Sequence, residues 1–461
     1  NGTITSSGSQ TYNGAVQLDG DTTLIGGFAL NLPQGVSGNS KNLVLDFTSQ
    51  QTSLAGNFTN ILDLMSKGDV LISGEIETFG VQTYNANVTL DGNTKLAGNA
   101  LSLNGVNGGS HDLELRFITT TELSGNFTNI KNLSVVNNAS LTGSISTSGF
   151  QDYNGTTTLL GNTALSAADN VTFGDSLDGS HDLSIDASGT SFANGVVEFA
   201  GAVGSTAPLR GLSFESAATV VALNSLAIDG TGGSGPGLRF GSTVGNINMT
   251  AAGSSISNAA QDGILFAGSS TDSTLANFTV TNSGGNGITM AGGDYANTTI
   301  RDVVVKTSDG HGLYANNATT GFTVTDSRMT SNKGSGVYVE GLASDGITVS
   351  NSTFGISGEA LAAGNKGYGI GFSGGSNHVA DNNTIGGNDL TGLLAVSPVT
   401  GETVSNITFS NNWIGLTRSE EPVPNGQAGI WVLGDVTDSE GYTQGFVDDV
   451  TIQGNRVENA I

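Results

Sequence analysis

The sequence of 461 residues has no cysteine, few prolines and little charge, and each shortage excludes a class of protein. Without cysteine there are no disulfides, no thiol nucleophile and no thiolate metal ligands. Only 12% of the residues are charged, and 6 are proline. Low charge combined with widespread Val, Ile, Leu and Phe argues against a disordered chain.

Basic residues are especially scarce. The chain contains 14 Lys and Arg against 40 Asp and Glu, for a formal charge of -26. Nucleic-acid partners are therefore not expected, because phosphate binding needs clustered Lys and Arg. No apolar run approaches the roughly 20 residues of a membrane span. The acidity favours a soluble surface in a salty exterior, so we predict an extracellular or cell-surface location.

Glycine is abundant, with 70 residues, and lies with Ser, Thr, Asn and Asp between short apolar runs. The runs alternate apolar and polar residues, as in "VTLDGNTKL" at 88–96 and "GVYVEG" at 336–341. Such alternation between turn residues is typical of β-strands. No segment has the period of an amphipathic helix. The composition therefore predicts an all-β protein.

The first half repeats one long sequence. "QTYNGAVQLDGDTTL" at 10–24 returns as "QTYNANVTLDGNTKL" at 82–96 and as "QDYNGTTTLLGNTAL" at 151–165. A period of about 70 residues predicts a solenoid, with about three coils of roughly 23 residues in each module. We expect the apolar positions of each copy to line the same interior column. Comparison of the copies also assigns "ILDLMSK" at 61–67 to a strand rather than a helix.

The second half has a shorter period, marked by Gly followed by an aliphatic residue. The glycines are spaced by 24, 25, 24, 33, 23 and 37 residues, and they are Gly263, Gly287, Gly312, Gly336, Gly369, Gly392 and Gly429. The two long intervals predict insertions at Ser357–Lys366 and Thr417–Gln427. A second strand in each coil ends in Asn or Asp, which predicts a side-chain ladder at a turn. Its members are Asn282, Asp302, Asp326, Asn351, Asn382 and Asn411.

Two resemblances to known families follow from these repeats. "SGSQTYNGAVQLDGDTTL" from Ser7 and "DGSHDLSIDASGTSFANGVVEFAGAVG" from Asp178 resemble the strand repeats of large bacterial surface proteins of the filamentous-haemagglutinin adhesin type. "NSTFGISGEALAAGNKGYGIGF" from Asn351 and "NNWIGLTRSEEPVPNGQAGIWV" from Asn411 resemble the right-handed parallel β-helix repeat family, which is pectate-lyase-like. The resemblance implies a scaffold that serves adhesins, lyases, hydrolases and phage tailspikes alike.

We therefore predict one elongated right-handed parallel β-helix. Residues 1–225 would form a β-helix of modules of about 70 residues, and residues 226–461 a β-helix of single coils of about 24 residues with two turn insertions. The chain starts without Met and both ends interrupt a repeat. We therefore expect a processed form or a fragment of a longer solenoid.

No catalytic residue is predicted. "SDGHG" at 308–312 is similar to the Gly-His-Gly element of polygalacturonases, but the Asn-Thr-Asp, Asp-Asp and Arg-x-Lys elements of that family are not found in the required order. We therefore interpret His311 as a polar turn residue. The pairs His111–Asp112 and His181–Asp182 occupy equivalent repeat positions. The first copy has Lys41–Asn42 there, so we interpret both pairs as turn residues too.

No cofactor is predicted, although bound Ca²⁺ stays open as an alternative. The segment "LDGDTTL" at 18–24 offers the oxygen ligands that Ca²⁺ prefers. Its counterparts "LDGNTKL" and "LLGNTAL" lose acidic groups.

One set of outward positions predicts a ligand-binding face. In the Gly-led strands the positions on either side are apolar, so the residue between them should point outward. These outward residues are Thr289, Tyr314, Tyr338, Gly371, Leu394 and Trp431. Exposed aromatic rings at coil spacing suit stacking on sugar rings, which makes Tyr314, Tyr338 and Trp431 candidate binding residues. The alternative is that loops or the insertions cover them. Glu420 and Glu421 of the second insertion are predicted to line the same groove.

The sequence supports three functional hypotheses. The first is a non-enzymatic structural or adhesive segment of a large secreted or cell-surface bacterial protein, with a cell-surface glycan or another extracellular molecule as partner. The second is a polysaccharide lyase or glycoside hydrolase, or a carbohydrate-binding rod. The third is a self-assembling sheath or filament component that associates through the ends of the solenoid.

Overall fold

A computed structural model of the chain describes residues 1–188, 195–358, 362–398, 403–434 and 445–458. Those residues form strands, turns and bends, and none of them is helical. No helix in this part of the chain is therefore long and apolar enough to cross a membrane. The chain divides into two compact units, Asn1–Ala207 and Pro208–Ile461. The repeat-based boundary between residues 225 and 226 stays a prediction.

In the described residues of the first unit the strands are β1 Gly2–Ser6, β2 Gln10–Thr11, β3 Val16–Gln17, β4 Thr22–Gly26, β5 Leu30–Leu32, β6 Val36–Asp46, β7 Thr52–Leu54, β8 Phe58–Ser66, β9 Val70–Thr78, β10 Val81–Tyr84, β11 Val88–Gly98, β12 Ala100–Ser102, β13 Gly105–Asn107, β14 Leu113–Phe117, β15 Thr121–Leu123, β16 Asn126–Ile130, β17 Leu133–Val135, β18 Ala139–Thr147, β19 Gln151–Tyr153, β20 Thr157–Ala167, β21 Val171–Phe173, β22 Leu177–Asp178, β23 Asp182–Asp186 and β24 Val196–Phe199.

In the described residues of the second unit they are β25 Gly211–Ala222, β26 Ala227–Asp229, β27 Leu238–Met249, β28 Ser254–Ser257, β29 Ile264–Phe266, β30 Thr274–Ala276, β31 Phe278–Thr281, β32 Ile288–Arg301, β33 Val304–Lys306, β34 Leu313–Thr325, β35 Arg328–Thr330, β36 Val337–Glu340, β37 Thr348–Ser350, β38 Thr353–Phe354, β39 Ile370–Ser373, β40 Val379–Asp381, β41 Thr384–Ile385, β42 Leu393–Val396, β43 Thr403–Ser410, β44 Trp413–Ile414, β45 Ile430–Leu433, β46 Phe446–Gln453 and β47 Arg456–Val457.

Each unit is a right-handed parallel β-helix, as the sequence predicts. A coil contributes three strand segments, and each segment pairs in parallel with the equivalent segment of the next coil, forming a column. In the first unit Gly2 pairs with Thr22 and Thr22 with Leu43, spacings of 20 and 21 residues. Other coils are shorter, at 18 residues, where Thr121 pairs with Ala139 and Ala139 with Thr157. The expected coil of roughly 23 residues is therefore wrong for these coils.

The three module copies begin in three different columns. Gln10 pairs with Leu30, and that column continues through Thr52 and Val70. Gln82 instead pairs with Leu64, in the column of Gly2, and Gln151 pairs with Leu133 in the third column. One module covers three coils and two further strands, so each copy starts one column earlier than the last. The expectation that equivalent apolar positions share one interior column is wrong.

The repeated "Q-x-Y" forms a polar clamp inside each copy. Nε2 of Gln82 donates to the carbonyls of Ile76 at 3.0 Å and Ala97 at 2.8 Å, and the Tyr84 hydroxyl donates to Oε1 of Gln82 at 3.0 Å. Gln10 with Tyr12 and Gln151 with Tyr153 make the same bonds. Gln82 and Gln151 are fully buried, and Gln10 is 8% exposed. The clamp satisfies carbonyls of two successive coils, which gives the repeated motif a structural role.

The second unit stacks single coils. The Gly-led strands pair in register, as the sequence predicts, and the column runs through Leu238, Ile264, Ile288, Leu313, Val337, Ile370, Leu393 and Ile430. Within the described residues a separate sheet has nine strands, in the order β26, β28, β31, β33, β35, β38, β41, β44 and β47. We call it the nine-stranded sheet. Buried rings stack along the core as well, with 5.6 Å between Phe214 and Phe240 and 4.9 Å between Phe240 and Phe266.

The predicted Asn/Asp turn residues all lie in left-handed backbone conformations. Their φ angles run from 49° to 55°, a region that Asn and Asp tolerate better than most residues. Asn382 donates to Oδ1 of Asn351 at 2.7 Å, which is the expected ladder. Asp302 and Asp326 instead bind Arg301 and Thr325, so the ladder is not continuous.

Two buried Asn ladders were not predicted. One passes from Asn332 through Asn365 and Asn388 to Asn425, with side-chain distances of 2.9, 2.9 and 3.0 Å. The other links Asn383, Asn412 and Asn455 at 3.0 and 2.9 Å. After the first Asn of each ladder, each amide oxygen also accepts the backbone N–H of the preceding ladder residue. The ladders fix the register of neighbouring coils because their side-chain amides are hydrogen-bonded from one coil to the next.

Candidate functional site

The outward residues of the Gly-led column lie side by side, as predicted. Thr289 pairs with Tyr314, Tyr314 with Tyr338, and Tyr338 with Gly371, which is followed by Leu394 and Trp431. Strand alternation sets this direction, since Val337 and Val339 are fully buried and Tyr338 between them is half-buried. Exposure differs along the column, because Leu394 is 3% exposed and Trp431 is 41% exposed.

Tyr314 and Tyr338 belong to a ladder of four rings that also contains His311 and Tyr368. The His311 ring lies 5.0 Å from Tyr338 and 5.3 Å from Tyr314, at interplanar angles of 7° and 17°. Tyr368 stacks on Tyr338 at 6.3 Å and 15°. We call these four residues the ring ladder. Because part of each ring face contacts a neighbouring ring, the ladder offers ring edges and phenol hydroxyls as well as ring faces.

Gly371 makes room for the ring ladder. A Cβ atom at this position would lie 2.8 Å from Cδ2 of Tyr338 and 3.4 Å from Cδ2 of Tyr368. The absence of a side chain therefore lets the two rings approach over the strand. The ring ladder therefore requires glycine at this position of the outward column.

Hydrogen bonds hold His311 in position. Nδ1 of the imidazole accepts a hydrogen bond from the backbone N–H of Ser335 at 2.9 Å. The backbone N–H of His311 donates to Oδ1 of Asn286 at 2.8 Å. Nδ2 of Asn286 donates in turn to the Thr289 hydroxyl at 3.0 Å. Burial lowers the pKa of His311, against an opposing attraction from Glu340. An imidazole that accepts at Nδ1 is neutral and carries its proton on Nε2, so it offers a donor to a ligand.

Glu340 supplies negative charge beside the ladder. Its carboxylate accepts a hydrogen bond from the Tyr314 hydroxyl. Burial, together with this carboxylate, raises the pKa of Tyr314. Tyr314 and Glu340 line an open cavity of ≈ 700 Å³ together with Ala318, Gly341, Leu342, Ala343 and Pro398. Glu340 is the single carboxylate among the described residues that line it. The cavity combines apolar surface, a phenol and an acceptor, which suits an uncharged ligand with many hydroxyls.

Trp431 lies apart from the ring ladder, because Gly371 and Leu394 separate it from Tyr338 in the column. Glu420 was predicted to line the groove beside Trp431, and the structure places it elsewhere. It forms an ion pair with Arg456 at 2.7 Å, and Arg456 belongs to the nine-stranded sheet. That prediction is wrong because the second insertion folds toward this other sheet, where Arg418 contacts Thr384.

The two His–Asp pairs lie at corners, His111 and Asp112 just before β14 and His181 just before β23, which begins at Asp182. The His111 N–H donates to the carbonyl of Gly108, and the His181 N–H to that of Gly179, both at 2.8 Å. Asp112 accepts from the side chain of Asn132. Among the described residues no group of three His, Cys, Asp or Glu side chains is arranged to hold a metal ion. Calcium binding at residues 18–24 stays an open alternative to the prediction of no cofactor.

Two family models match parts of the second unit, and both matches agree with its fold. Residues 293–460 match the family model described as a right handed beta helix region, and residues 209–355 match that of the periplasmic copper-binding protein NosD. No curated protein matches the chain. The chain is similar to the crystal structure of the periplasmic alginate epimerase AlgG, with a TM-score of 0.25 and 8% identity over 93% of this chain and 79% of that chain. The chain is thus an all-β, right-handed parallel β-helix protein.

Proposed function

We propose that this chain is a non-catalytic, glycan-binding β-helix segment of a large bacterial protein that works outside the cytoplasm. The ring ladder beside Glu340 and the ≈ 700 Å³ cavity is the observation that carries the proposal. Aromatic side chains and a carboxylate acceptor are the groups that bind a sugar through its apolar face and its hydroxyls. The negative charge of Glu340 favours uncharged sugars over acidic ones.

A location in the envelope or at the cell surface is supported by two resemblances. The module repeats resemble those of filamentous-haemagglutinin-type adhesins, and one matching family model is named for a periplasmic protein. That name supports the location alone. An adhesive role fits a scaffold that displays the same binding face on successive coils.

Binding is tested by affinity electrophoresis and calorimetry of the full chain with uncharged and acidic polysaccharides. We expect an uncharged glycan to bind and Tyr338→Ala to weaken this binding roughly tenfold, because the Tyr338 ring stacks on the other three rings of the ladder. Tyr12→Ala is the matched control, since Tyr12 is also half-buried and its hydroxyl also shares a hydrogen bond with a side chain. Its binding should equal that of the unmodified chain.

Catalysis is tested in the same samples, with and without Ca²⁺, by new reducing ends and by unsaturated-uronate absorbance. The proposal expects neither product. Turnover that disappears with Glu340→Gln would replace the binding role with an enzymatic one at the same cavity. Equal affinity of the Tyr338→Ala and Tyr12→Ala variants would remove the ring ladder from the binding site.

A further inference from the structure

The nine-stranded sheet has a notch on its outer face. Thr353, Thr384 and Trp413 pair in register on three successive coils. The insertions Ser357–Lys366 and Thr417–Gln427 follow the first and third of these strands, as predicted, although residues 359–361 lie outside the described residues. The middle coil turns directly after Ile385. Since coils are about 4.8 Å apart, the insertions stand roughly 10 Å apart with the middle coil as floor.

Hydrogen bonds within the second insertion stabilise the wall that it forms. Leu416 and Pro422 form an antiparallel bridge, and the Val423 N–H donates to the carbonyl of Gly415 at 2.7 Å. The Thr417 hydroxyl accepts the Glu421 N–H at 3.1 Å. The first insertion starts the same way, with an antiparallel bridge between Ile356 and Ala362. The second wall is therefore a short hairpin, and the described ends of the first insertion are joined by the same kind of backbone hydrogen bond.

Two arginines line the notch. It encloses ≈ 520 Å³ and is lined by Arg328, Thr353, Ile356, Gly358, Thr384, Thr417, Arg418 and Ser419. Arg418 donates from Nε to the Thr384 hydroxyl at 2.9 Å and from Nη2 to the carbonyl of Asn382. Its guanidinium also lies 5.5 Å from the centre of the Trp413 ring, and Arg456 lies 5.0 Å from the same ring. Arg418 is thus held rigidly over the floor of the notch.

The charge of this site is unusual for so acidic a chain. In the second unit Lys333, Lys366, Arg301 and Arg456 each form an ion pair with a carboxylate. Within the described residues neither Arg328 nor Arg418 has such a partner. Asp302 and Asp326 line a separate cavity of ≈ 310 Å³ that Arg328 also lines, and Asp302 is already paired with Arg301. The described residues that line the notch therefore carry two positive charges and several hydroxyl donors, and none of them is a carboxylate.

We propose that the notch binds the carboxylate or sulfate group of an acidic saccharide, between Arg328 and Arg418. A planar guanidinium can donate two parallel hydrogen bonds to such an oxyanion, and the hydroxyls of Thr353 and Thr384 complete its coordination. The volume is in the range of small-ligand sites. The oxyanion specificity stands alone, whereas the saccharide part rests on the proposed function. The chain then has two sites of opposite charge preference, an anionic ring ladder and a cationic notch.

The test is calorimetric titration of the full chain with four probes. They are a uronate trisaccharide, a sulfated trisaccharide, an uncharged trisaccharide and inorganic sulfate. We expect at least one acidic trisaccharide to bind, and Arg328→Gln to weaken it about tenfold, the usual loss for a charged hydrogen bond. Arg328→Lys should weaken binding almost as much as Arg328→Gln, because an ammonium cannot bind bidentately. Arg239→Gln is the control, since Arg239 already pairs with Glu215 in the Gly-led column.

The outcomes separate the two proposals. Preference for uronate or for sulfate supports the notch and identifies the group that it takes. Binding of inorganic sulfate that depends on Arg328, without binding of either acidic trisaccharide, supports the oxyanion part and overturns the saccharide part. Failure of all four probes overturns both parts, as does unchanged affinity in a folded Arg328→Gln, Arg418→Gln double variant. Tyr338→Ala should leave acidic binding unchanged, so failure at the ring ladder is distinguishable from failure at the notch.

Discussion

The two units have the same fold but satisfy their buried polar groups differently. The first unit uses a Gln–Tyr clamp in each module copy, and the clamps at Gln10, Gln82 and Gln151 lie in three different columns. The second unit stacks one residue type on itself, as in the ladder through Asn365 and Asn388. The difference follows from repeat length. When the repeat is one coil long, equivalent residues of successive repeats lie in the same column. When it is three coils and two strands long, equivalent residues fall in a different column in each copy.

The same difference decides where a binding face can form. Superposed coils bring Tyr314 and Tyr338 into contact and place the two insertions on one sheet. In the first unit equivalent side chains are dispersed over three columns. Its open cavity of ≈ 640 Å³ is lined by Asn, Gln, Asp, Thr, Gly and Val residues, without an aromatic ring among them. Both proposed sites accordingly lie in the second unit.

The largest expected effect tests the clamp. Gln151→Ala should lower the free energy of unfolding of the first unit by about 4 kcal/mol, because it leaves the Tyr153 hydroxyl and two carbonyls without partners in the core. Gln10→Ala removes the same bonds where Gln10 is 8% exposed and Tyr12 is half-buried, so water can replace them. We expect about 1 kcal/mol there. Hydrogen exchange of the amides in the adjoining strands measures both. Equal losses would show that the clamp acts independently of burial.

Sequence alone predicted the fold class, the Gly-led register and the adjacency of Tyr314 and Tyr338. These follow from a repeat equal to one coil, since residues at equal phase must then pair. It did not predict the clamp, whose partners lie 6 residues before and 15 residues after each Gln. That geometry requires the coil length, which a module of about 70 residues does not reveal.

The ring ladder and the notch could be predicted only in part from the sequence. His311 and Tyr368 precede their strands at corners, and strand alternation says nothing about corner side chains. The pairing of Glu420 with Arg456 depends on which way the second insertion folds. The Gly-Tyr-Gly at 367–369 and the single "WIGLTR" at 413–418 were the available signals, and neither has a periodicity that would reveal its contacts.

A somewhat smaller effect is expected in the buried Asn ladder. Asn388→Ala should destabilise the second unit by about 3 kcal/mol, because it breaks the links to both Asn365 and Asn425 in the core. Asn382→Gly is the control, since Asn382 is only half-buried and has a left-handed φ of 55° that Gly adopts freely. It should change stability by less than about 0.5 kcal/mol. Both tryptophans lie in this unit, so their fluorescence reports its unfolding. Similar losses in the two variants would deny the ladder a special role.

Acid should weaken the second unit through His378. This side chain is fully buried, and burial lowers its pKa to about 4, against opposing effects of Gly374 and Asp345. The unfolded chain takes up the proton near pH 6.5, so stability is complete above that pH and falls as the pH drops toward 4. Between pH 7 and pH 5 the expected loss is about 2 kcal/mol.

Tryptophan fluorescence during urea unfolding at the two pH values measures that loss. His378→Phe retains a ring against Phe372, which lies 4.9 Å from the imidazole, and should remove most of the pH dependence. His311→Phe is the comparison, since its imidazole is only partly buried. A pH dependence that persists in His378→Phe and disappears in His311→Phe would reassign it to the ring ladder.

The smallest effect tests a feature that the two units share. Asn129 in the first unit and Asn351 in the second have left-handed φ angles of 54° and 51° and are exposed. Ala at either position should cost about 1 kcal/mol, because a Cβ crowds the backbone there without the local hydrogen bonds of Asn. Gly should be neutral within about 0.5 kcal/mol. Hydrogen exchange for the first unit and tryptophan fluorescence for the second measure these changes. A large loss for Gly at Asn351 alone would mean that its bond to Asn382 contributes to stability. Equal, small losses would show that both corners are set by backbone conformation, and that the units differ only in how their interiors are bonded.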